Sequence, residues 1–188
     1  MGLRRTQDRY VAARAIRDGT SLIMSSKLGQ INVGDNQERI KHIVELARYP
    51  DLKPVLVAID TGSVNIDRFD AVAKTFLSAE KIYQNSHETL MLLCEEFARL
   101  SMQPVISAWN RPFLRSGAAL MDIGLIPGPA YALLVHCEGG IFGGHQVTTA
   151  GLSAFLSHFP EDRRTRSCNP GRGAIDLGPL MAVTKPHM

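Results

Sequence analysis

Short apolar runs alternate with amphipathic segments along most of the chain. Uninterrupted apolar runs bounded by turn residues predict buried strands, at residues 21–25, 55–59, 103–108 and 130–135, with a weaker one at 164–168. Strands that alternate with helices pair in parallel through right-handed crossovers. The pattern therefore predicts an α/β fold built on one parallel sheet.

Helices are predicted wherever apolar residues recur at spacings of three and four. Capping patterns mark two of these helices, Asp35 with Glu38 and Asn85 with Glu88. The predicted helices are an opening one at residues 4–17, those that follow the two capping patterns, 111–123, one beginning near Thr149, 174–183, and a short one at 71–76. An opening helix followed by five strand–helix units suits both an open sheet and part of an eight-stranded barrel.

The stretch at residues 130–144, AYALLVHCEGGIFGG, is the clearest strand-to-helix connection. Its apolar run ends in a loop that contains Gly139, Gly140, Gly143 and Gly144. Function in parallel α/β folds lies at the carboxyl ends of strands, where glycines let backbone N–H groups approach an anionic ligand. A tight turn into a helix also requires glycine, so ligand binding and plain packing both explain the loop.

The composition and the motif content of the sequence exclude several classes of function. The 188 residues, 45% hydrophobic and 21% charged, predict a single globular domain, and a net charge of +3 is too small to indicate nucleic-acid binding. The three cysteines form no metal-binding pair, no run is long enough for a membrane span, and no nucleotide-binding glycine motif occurs. These features predict a cytoplasmic protein that contacts neither membrane nor nucleic acid.

Four residues of metal-ligating type follow the strand at 130–135, namely His136, Cys137, Glu138 and His145. Neighbouring strand residues point to opposite faces, so His136 and Glu138 can converge whereas Cys137 cannot join them. The spacing matches no established zinc signature. A packed or hydrogen-bonded histidine is favoured over a metal site, and no metal ligand is assigned.

Three other groups carry two interpretations each. Asp60 ends a strand and suits either a general base or an acceptor for loop N–H groups. Trp109 ends another strand and either covers a ligand or packs at the core edge. The basic residues near the end of the chain suit phosphates or form a solvated rim; they are Arg163, Arg164, Arg166 and Arg172.

Several strand ends together resemble the β-keto acid cleavage enzymes, a family that includes the 3-keto-5-aminohexanoate cleavage enzyme of lysine fermentation. Residues 55–65, VLVAIDTGSVN, resemble the family's LDMGSMNF strand. The similarity runs in order from Ile23 to about Gly173. Its further motifs are Gln84-Asn85-Ser86, Met102-Gln103-Pro104, Gly124-Leu125-Ile126-Pro127, Gly143-Gly144 with Val147-Thr148-Thr149, and Phe159-Pro160.

The resemblance implies a zinc-dependent (β/α)8 barrel. Such enzymes convert a β-keto acid and acetyl-CoA into acetoacetate and the CoA ester of the remaining acyl group. It implies substrate-side positions at Ser26 (or Ser25), Thr61 and Ser63. It also implies that Gly143 and Gly144 lie near the path of coenzyme A.

Two departures from the family pattern accompany the matches. The family binds zinc through a His-x-His pair on an early strand and a Glu in a late Gly-Leu-Glu-Asp segment, and neither can be placed on this sequence. A Pro-Glu-x-Glu strand end is replaced by Pro104-Val105-Ile106-Ser107. The sequence thus predicts one domain, residues 1–188, forming about five-eighths of a barrel that lacks its first strands and last strand–helix units.

An incomplete barrel leaves two alternatives open for activity. One is a member of the cleavage family; the other is an inactive half-barrel that binds a CoA-like or carboxylate ligand, or a partner chain. Unpaired sheet edges promote association, so a homo-oligomer or self-associating chain is expected.

Overall fold

A computed structural model describes residues 2–21, 23–28, 35–137, 141–158 and 165–168. Five strands form one parallel sheet in the order β1-β2-β7-β8-β9. Their bounds are β1 Ser25–Lys27, β2 Leu56–Asp60, β7 Gln103–Ala108, β8 Ala130–Leu134 and β9 Thr165–Cys168. The predicted α/β class and parallel pairing are confirmed.

Long apolar runs locate the central strands well. β7 has the predicted bounds, β8 ends one residue earlier than predicted, and β2 is shifted by one residue toward the C-terminus, so that it begins and ends one residue later than predicted. In β2, Val57, Ala58 and Ile59 are all buried, and because neighbouring side chains point to opposite faces, the strand is covered on both. Each strand lies beside the next one along the sheet, the order expected for consecutive strands of a barrel. Closure into a barrel and self-association stay predictions.

Five helices connect or precede the strands among the described residues. They are α1 Gly2–Gly19, α2 Asn36–Leu46, α3 His87–Arg99, α4 Arg111–Asp122 and α5 Thr149–Leu156. The Asp35 side chain caps α2 by accepting from the N–H groups of Gln37 and Glu38, as predicted. Ser86, rather than Asn85, caps α3. None of these helices is long and apolar enough to cross a membrane.

The core is formed by the inner faces of the sheet and of the helices beside it. Ile40 and Ile43 of α2, and Leu90, Leu93 and Phe97 of α3, are buried at the predicted helical spacing. Because β2 and β7 lie side by side in the sheet, their last residues meet at its carboxyl edge, with Asp60 in register with Ser107.

The short helix predicted at residues 71–76 is wrong. Antiparallel strands β4 (Phe69–Asp70) and β5 (Thr75–Phe76) pair there as a hairpin. The Asp70 carboxylate accepts from the N–H groups of Val72 and Ala73, which favours a turn over a helix at this point. A second antiparallel pair, β3 (Val64–Asn65) with β6 (Ile82–Tyr83), encloses this hairpin.

The first strand is displaced from its predicted position at residues 21–25. Val55 N–H donates to Met24 O, and Ser25 pairs with Leu56, so pairing with β2 selects the more polar Ser25–Lys27. Ile23 in the predicted strand is 68% exposed. The loop glycines Gly139 and Gly140 and the helix predicted at 174–183 lie outside the described residues.

Candidate functional site

Asp60 is fixed by two donors at the carboxyl edge of the sheet. Asp60 ends β2, Ser107 lies opposite it on β7, and Trp109 follows β7 directly. The Ser107 hydroxyl and the Trp109 indole N–H both donate to Asp60 Oδ1, each at 2.7 Å. Two donors on one oxygen fix the orientation of the carboxylate.

Asn85 joins the end of β2 to the start of α3. Its side-chain amide donates to Asp60 O at 2.7 Å and to Gly62 O at 3.3 Å. Its main-chain N–H donates to Ser63 Oγ at 2.9 Å, and the Ser63 hydroxyl donates to Asn85 O at 3.1 Å. Asn85 is buried, so these bonds hold the loop after β2 in one conformation.

Arg39 approaches the same loop from the first turn of α2. Its guanidinium group donates hydrogen bonds to Gln84 O, at 3.1 Å, and to Asn85 Oδ1. The guanidinium carbon, Cζ, lies 5.6 Å from the centroid of the Tyr83 ring. The side chain is 3% exposed, which is unusual for arginine. A main-chain oxygen, an amide oxygen and the ring face therefore contact this buried cation, and its Nε has no hydrogen-bond partner among the described residues.

Tyr83 lies beside both Asp60 and Arg39. Its hydroxyl is buried and forms no well-aligned hydrogen bond with the described residues. Burial and the negative charge of Asp60 raise the pKa of Tyr83 far above its usual range, against a smaller lowering effect of Arg39. The phenol therefore stays neutral and keeps its proton near the Asp60 carboxylate.

The three predicted substrate-side residues have different environments. Thr61 is fully buried, and its hydroxyl donates to Phe113 O at 2.6 Å in α4. Ser63 is exposed and belongs to the Asn85 hydrogen-bond group. Ser26 is half-buried in β1, opposite Val57. Substrate binding by these residues stays a prediction.

Gly143 and Gly144 lie in tight packing contacts. A Cβ atom at Gly143 would come within 2.5 Å of Asn65 O, and one at Gly144 within 2.6 Å of Cys137 Sγ and 3.1 Å of Trp109 O. The Asn110 side-chain amide also donates to Gly143 O at 3.1 Å. Close approach between the loop and the sheet edge accounts for both glycines, and a role toward coenzyme A stays a prediction.

His136 and His145 lie side by side after β8. Their main chains form a parallel bridge, and Cys137 N–H donates to His145 O at 2.8 Å. Both imidazoles pack edge-on against Phe155, with ring centroids 5.3 and 4.8 Å away. Burial, followed by the charges of His136 and Arg111, lowers the pKa of His145. Burial also raises the pKa of the Cys137 thiol, which disfavours a thiolate ligand.

The zinc set implied by the resemblance does not fit the described residues. Within residues 2–21, 23–28, 35–137, 141–158 and 165–168, no group of three or more His, Cys, Asp or Glu side chains could hold a metal ion. A zinc-binding site of the family's two-histidine, one-glutamate type cannot be built from them, and no reaction step is derived through such an ion.

Sequence reasoning identified Asp60 and Trp109 but missed Arg39, Tyr83 and Asn85 as parts of one cluster. The sequence pattern assigns Asn85 to the cap of α3, a position that Ser86 takes in the structure. The available signal was its position directly before α3, where a buried amide can reach the neighbouring strand end.

Comparison with protein families adds an independent result. A family model described as beta-keto acid cleavage enzyme matches residues 4–181. Comparison with curated proteins finds none that matches the chain. Because the match extends over nearly the whole sequence, in agreement with the strand-end motifs, the chain belongs to the beta-keto acid cleavage enzyme family.

Proposed function

We propose that the protein exchanges acyl groups between a β-keto acid and acetyl-CoA, giving acetoacetate and a new acyl-CoA. The observation that carries this proposal is the Asp60 carboxylate, which two donors fix at the carboxyl edge of a parallel sheet in a chain of this family. Active sites of barrel enzymes lie at this edge.

The chemistry requires a base at a fixed position. The methylene group of a β-keto acid lies between a carbonyl and a carboxylate, so its C–H bond is acidic, and removal of the proton gives a carbon nucleophile. Asp60 accepts this proton. The nucleophile attacks the acetyl carbonyl of acetyl-CoA and releases the CoA thiolate, which attacks the original keto carbonyl and cleaves its carbon–carbon bond. The proton returns to the carbon of the departing acetoacetate.

The residues around Asp60 have positioning roles in this proposal. Ser107 and Trp109 hold one carboxylate oxygen, and Asn85 holds the main chain of Asp60. Ser63, the exposed member of the group, is the best placed of the predicted substrate-side residues to meet substrate. Thr61 supports the turn through its bond to Phe113 O.

The test is Asp60→Asn, which keeps the shape of the side chain and removes the base. Acyl-CoA products formed from acetyl-CoA and a panel of β-keto acids are measured by mass spectrometry. We expect a rate loss of about 10²- to 10⁴-fold, the usual contribution of general base catalysis. Asp18→Asn, on the exposed end of α1, is the matched control. An Asp60→Asn protein with the wild-type rate would refute the assignment.

A second candidate is a binding protein without turnover. It is favoured by the strand end Pro104–Ser107, which carries no carboxylate, and by the described residues' lack of a three-ligand metal set. Saturable binding of acetyl-CoA, with no product from any β-keto acid of the panel, would support this candidate over the enzyme.

A further inference from the structure

A β-hairpin projects from the loop that follows β2. It consists of β4 and β5, and every residue from 71 to 82 is exposed. Its base is held by hydrogen bonds: the Leu77 N–H donates to Arg68 O at 2.9 Å, and the buried Asp67 carboxylate accepts from Ser78 and Ala79. The hairpin is therefore a built structural element that extends beyond the body of the sheet.

Three aromatic rings, those of Phe69, Phe76 and Phe142, form an aromatic patch on this hairpin. Phe69 and Phe76 lie opposite each other across the two strands, with ring centroids 5.3 Å apart. Phe142, from the loop after β8, lies 5.8 Å from Phe69 and 6.2 Å from Phe76. A main-chain bridge between Arg68 and Ile141 joins the two segments. The fold of a single chain thus assembles the aromatic patch.

The aromatic patch is open to solvent, although its rings pack against one another. Phe76 is 47% exposed, Phe142 is 67% exposed, and Val72 at the tip of the hairpin is 94% exposed. Together with the half-buried Phe69, these side chains leave roughly 400 Å² of apolar surface uncovered, since one phenylalanine offers about 200 Å². Apolar surface of this extent on an ordered element is typical of sites that bind another molecule.

The charges on the hairpin indicate which kind of partner fits. Acidic and basic residues alternate along residues 66–83, in the order Asp67, Arg68, Asp70, Lys74, Glu80 and Lys81. An anionic membrane surface would require an excess of basic residues over acidic ones, and this segment has equal numbers of both. Alternating charges suit a second identical surface, because a two-fold axis lets an acid of one copy face a base of the other.

We propose that the β4–β5 hairpin and Phe142 form the interface between two copies of this chain, related by a two-fold axis, with their aromatic patches at its centre. Such interfaces are about 60% apolar, so roughly 400 Å² of apolar surface per copy corresponds to about 1,300 Å² of total buried surface. This area lies within the range of about 1,200–2,000 Å² for stable, specific interfaces. The inference is independent of the proposed function, and it assigns self-association to the hairpin rather than to the sheet edges.

Sedimentation velocity of the full chain over a range of concentrations tests this proposal, and we expect a monomer–dimer equilibrium. Val72→Glu and Phe142→Glu each introduce a charge into the interface and should raise the dimer Kd by more than about 30-fold, the loss typical of a hot-spot side chain. Both side chains are largely exposed, so neither substitution disturbs the core. Ile123→Glu is the matched control: Ile123 is 61% exposed at the far end of α4, away from the hairpin, and its substitution should leave the Kd unchanged.

Hydrogen exchange locates the contact without a substitution. The amides of residues 71–77 should become more protected as the concentration of the wild type rises, while those of α4 should not change. A wild-type chain that stays monomeric, a dimer that both hairpin variants retain, or equal weakening by Ile123→Glu would each overturn the proposal. The second of these results would indicate association through another surface, such as the edges of the sheet.

Discussion

Asn85 and His145 occupy the same edge of the sheet but differ in how their side chains are satisfied. The Asn85 amide donates to two carbonyl oxygens and accepts from Arg39. The His145 imidazole packs against Phe155, and its buried Nε2 has no partner among the described residues. A side chain whose polar atoms are all paired within the protein holds structure, whereas a buried unpaired atom has capacity left for a ligand.

The same comparison separates Asp60, the base of the proposed reaction, from the groups behind it. Asn85 and Arg39 are buried, Arg39 is bonded to the loop before α3, and Asn85 joins that loop to the end of β2. Asp60, at the end of β2, is only half-buried. One oxygen of its carboxylate is held in place by hydrogen bonds from Ser107 and Trp109. Positioned groups of this kind avoid reorganisation during reaction.

The largest change in the free energy of unfolding is expected for the substitution Asn85→Ala. The substitution leaves a buried Arg39 donor and two carbonyl groups without their partner, so the free energy of unfolding should fall by about 2–4 kcal/mol. Urea denaturation measures the change. Gln84→Ala is the control, because Gln84 is exposed and contributes only its main-chain oxygen to Arg39; it should change stability by less than about 0.5 kcal/mol. Equal, small effects of both variants would show that the amide is not a structural support.

A smaller effect of opposite sign is expected for His145→Phe. The new ring keeps the edge-on contact with Phe155 and removes a buried nitrogen that has no partner. Stability should therefore rise, by up to about 1 kcal/mol. The same urea titration gives the value. A loss comparable to that of Asn85→Ala would mean that His145 Nε2 is already paired in the folded chain, contrary to the comparison.

A structural element could be predicted from the sequence where a local pattern of residues encodes it. The strands at β2, β7 and β8 follow from apolar runs, and the Asp35 cap from a short motif. The hairpin at β4 and β5 was missed because its pairing depends on contacts between residues several positions apart, while its alanines suit a helix equally well.

The clusters at the sheet edge required tertiary information. Arg39 lies in the first turn of an amphipathic helix, where a charged residue is normally solvent-facing, and only the approach of the loop before α3 explains its burial. The residue types at His136 and His145 were visible in the sequence. Their pairing depends on the return of the chain past Trp109, which no local spacing encodes.

The smallest effect on stability is expected for Asp67, a second buried group, whose two carboxylate oxygens both accept hydrogen bonds. Its carboxylate accepts from Arg68 N–H at 2.8 Å, from the Ser78 hydroxyl at 3.0 Å and N–H at 3.3 Å, and from Ala79 N–H, thereby enclosing the β4–β5 hairpin. If paired atoms hold structure, protonating Asp67 should loosen this hairpin without unfolding the sheet.

The pH dependence of that loosening has a defined sign. Burial acts to raise the pKa of Asp67, but the hydrogen bonds from Arg68, Ser78 and Ala79 outweigh it, so the pKa lies below its ordinary value of 3.8. The stabilisation is complete above 3.8 and is lost as the pH falls through the lower, folded value. Hydrogen exchange at the Ser78 and Ala79 amides should therefore lose protection at acid pH in the wild type, whereas Asp67→Asn should show weaker protection that does not change over this range. Asp70→Asn, which affects only the turn at Val72 and Ala73, is the control. Identical pH profiles for the wild type and Asp67→Asn would show that the carboxylate does not hold the hairpin, and that pairing of polar atoms does not by itself identify a structural group.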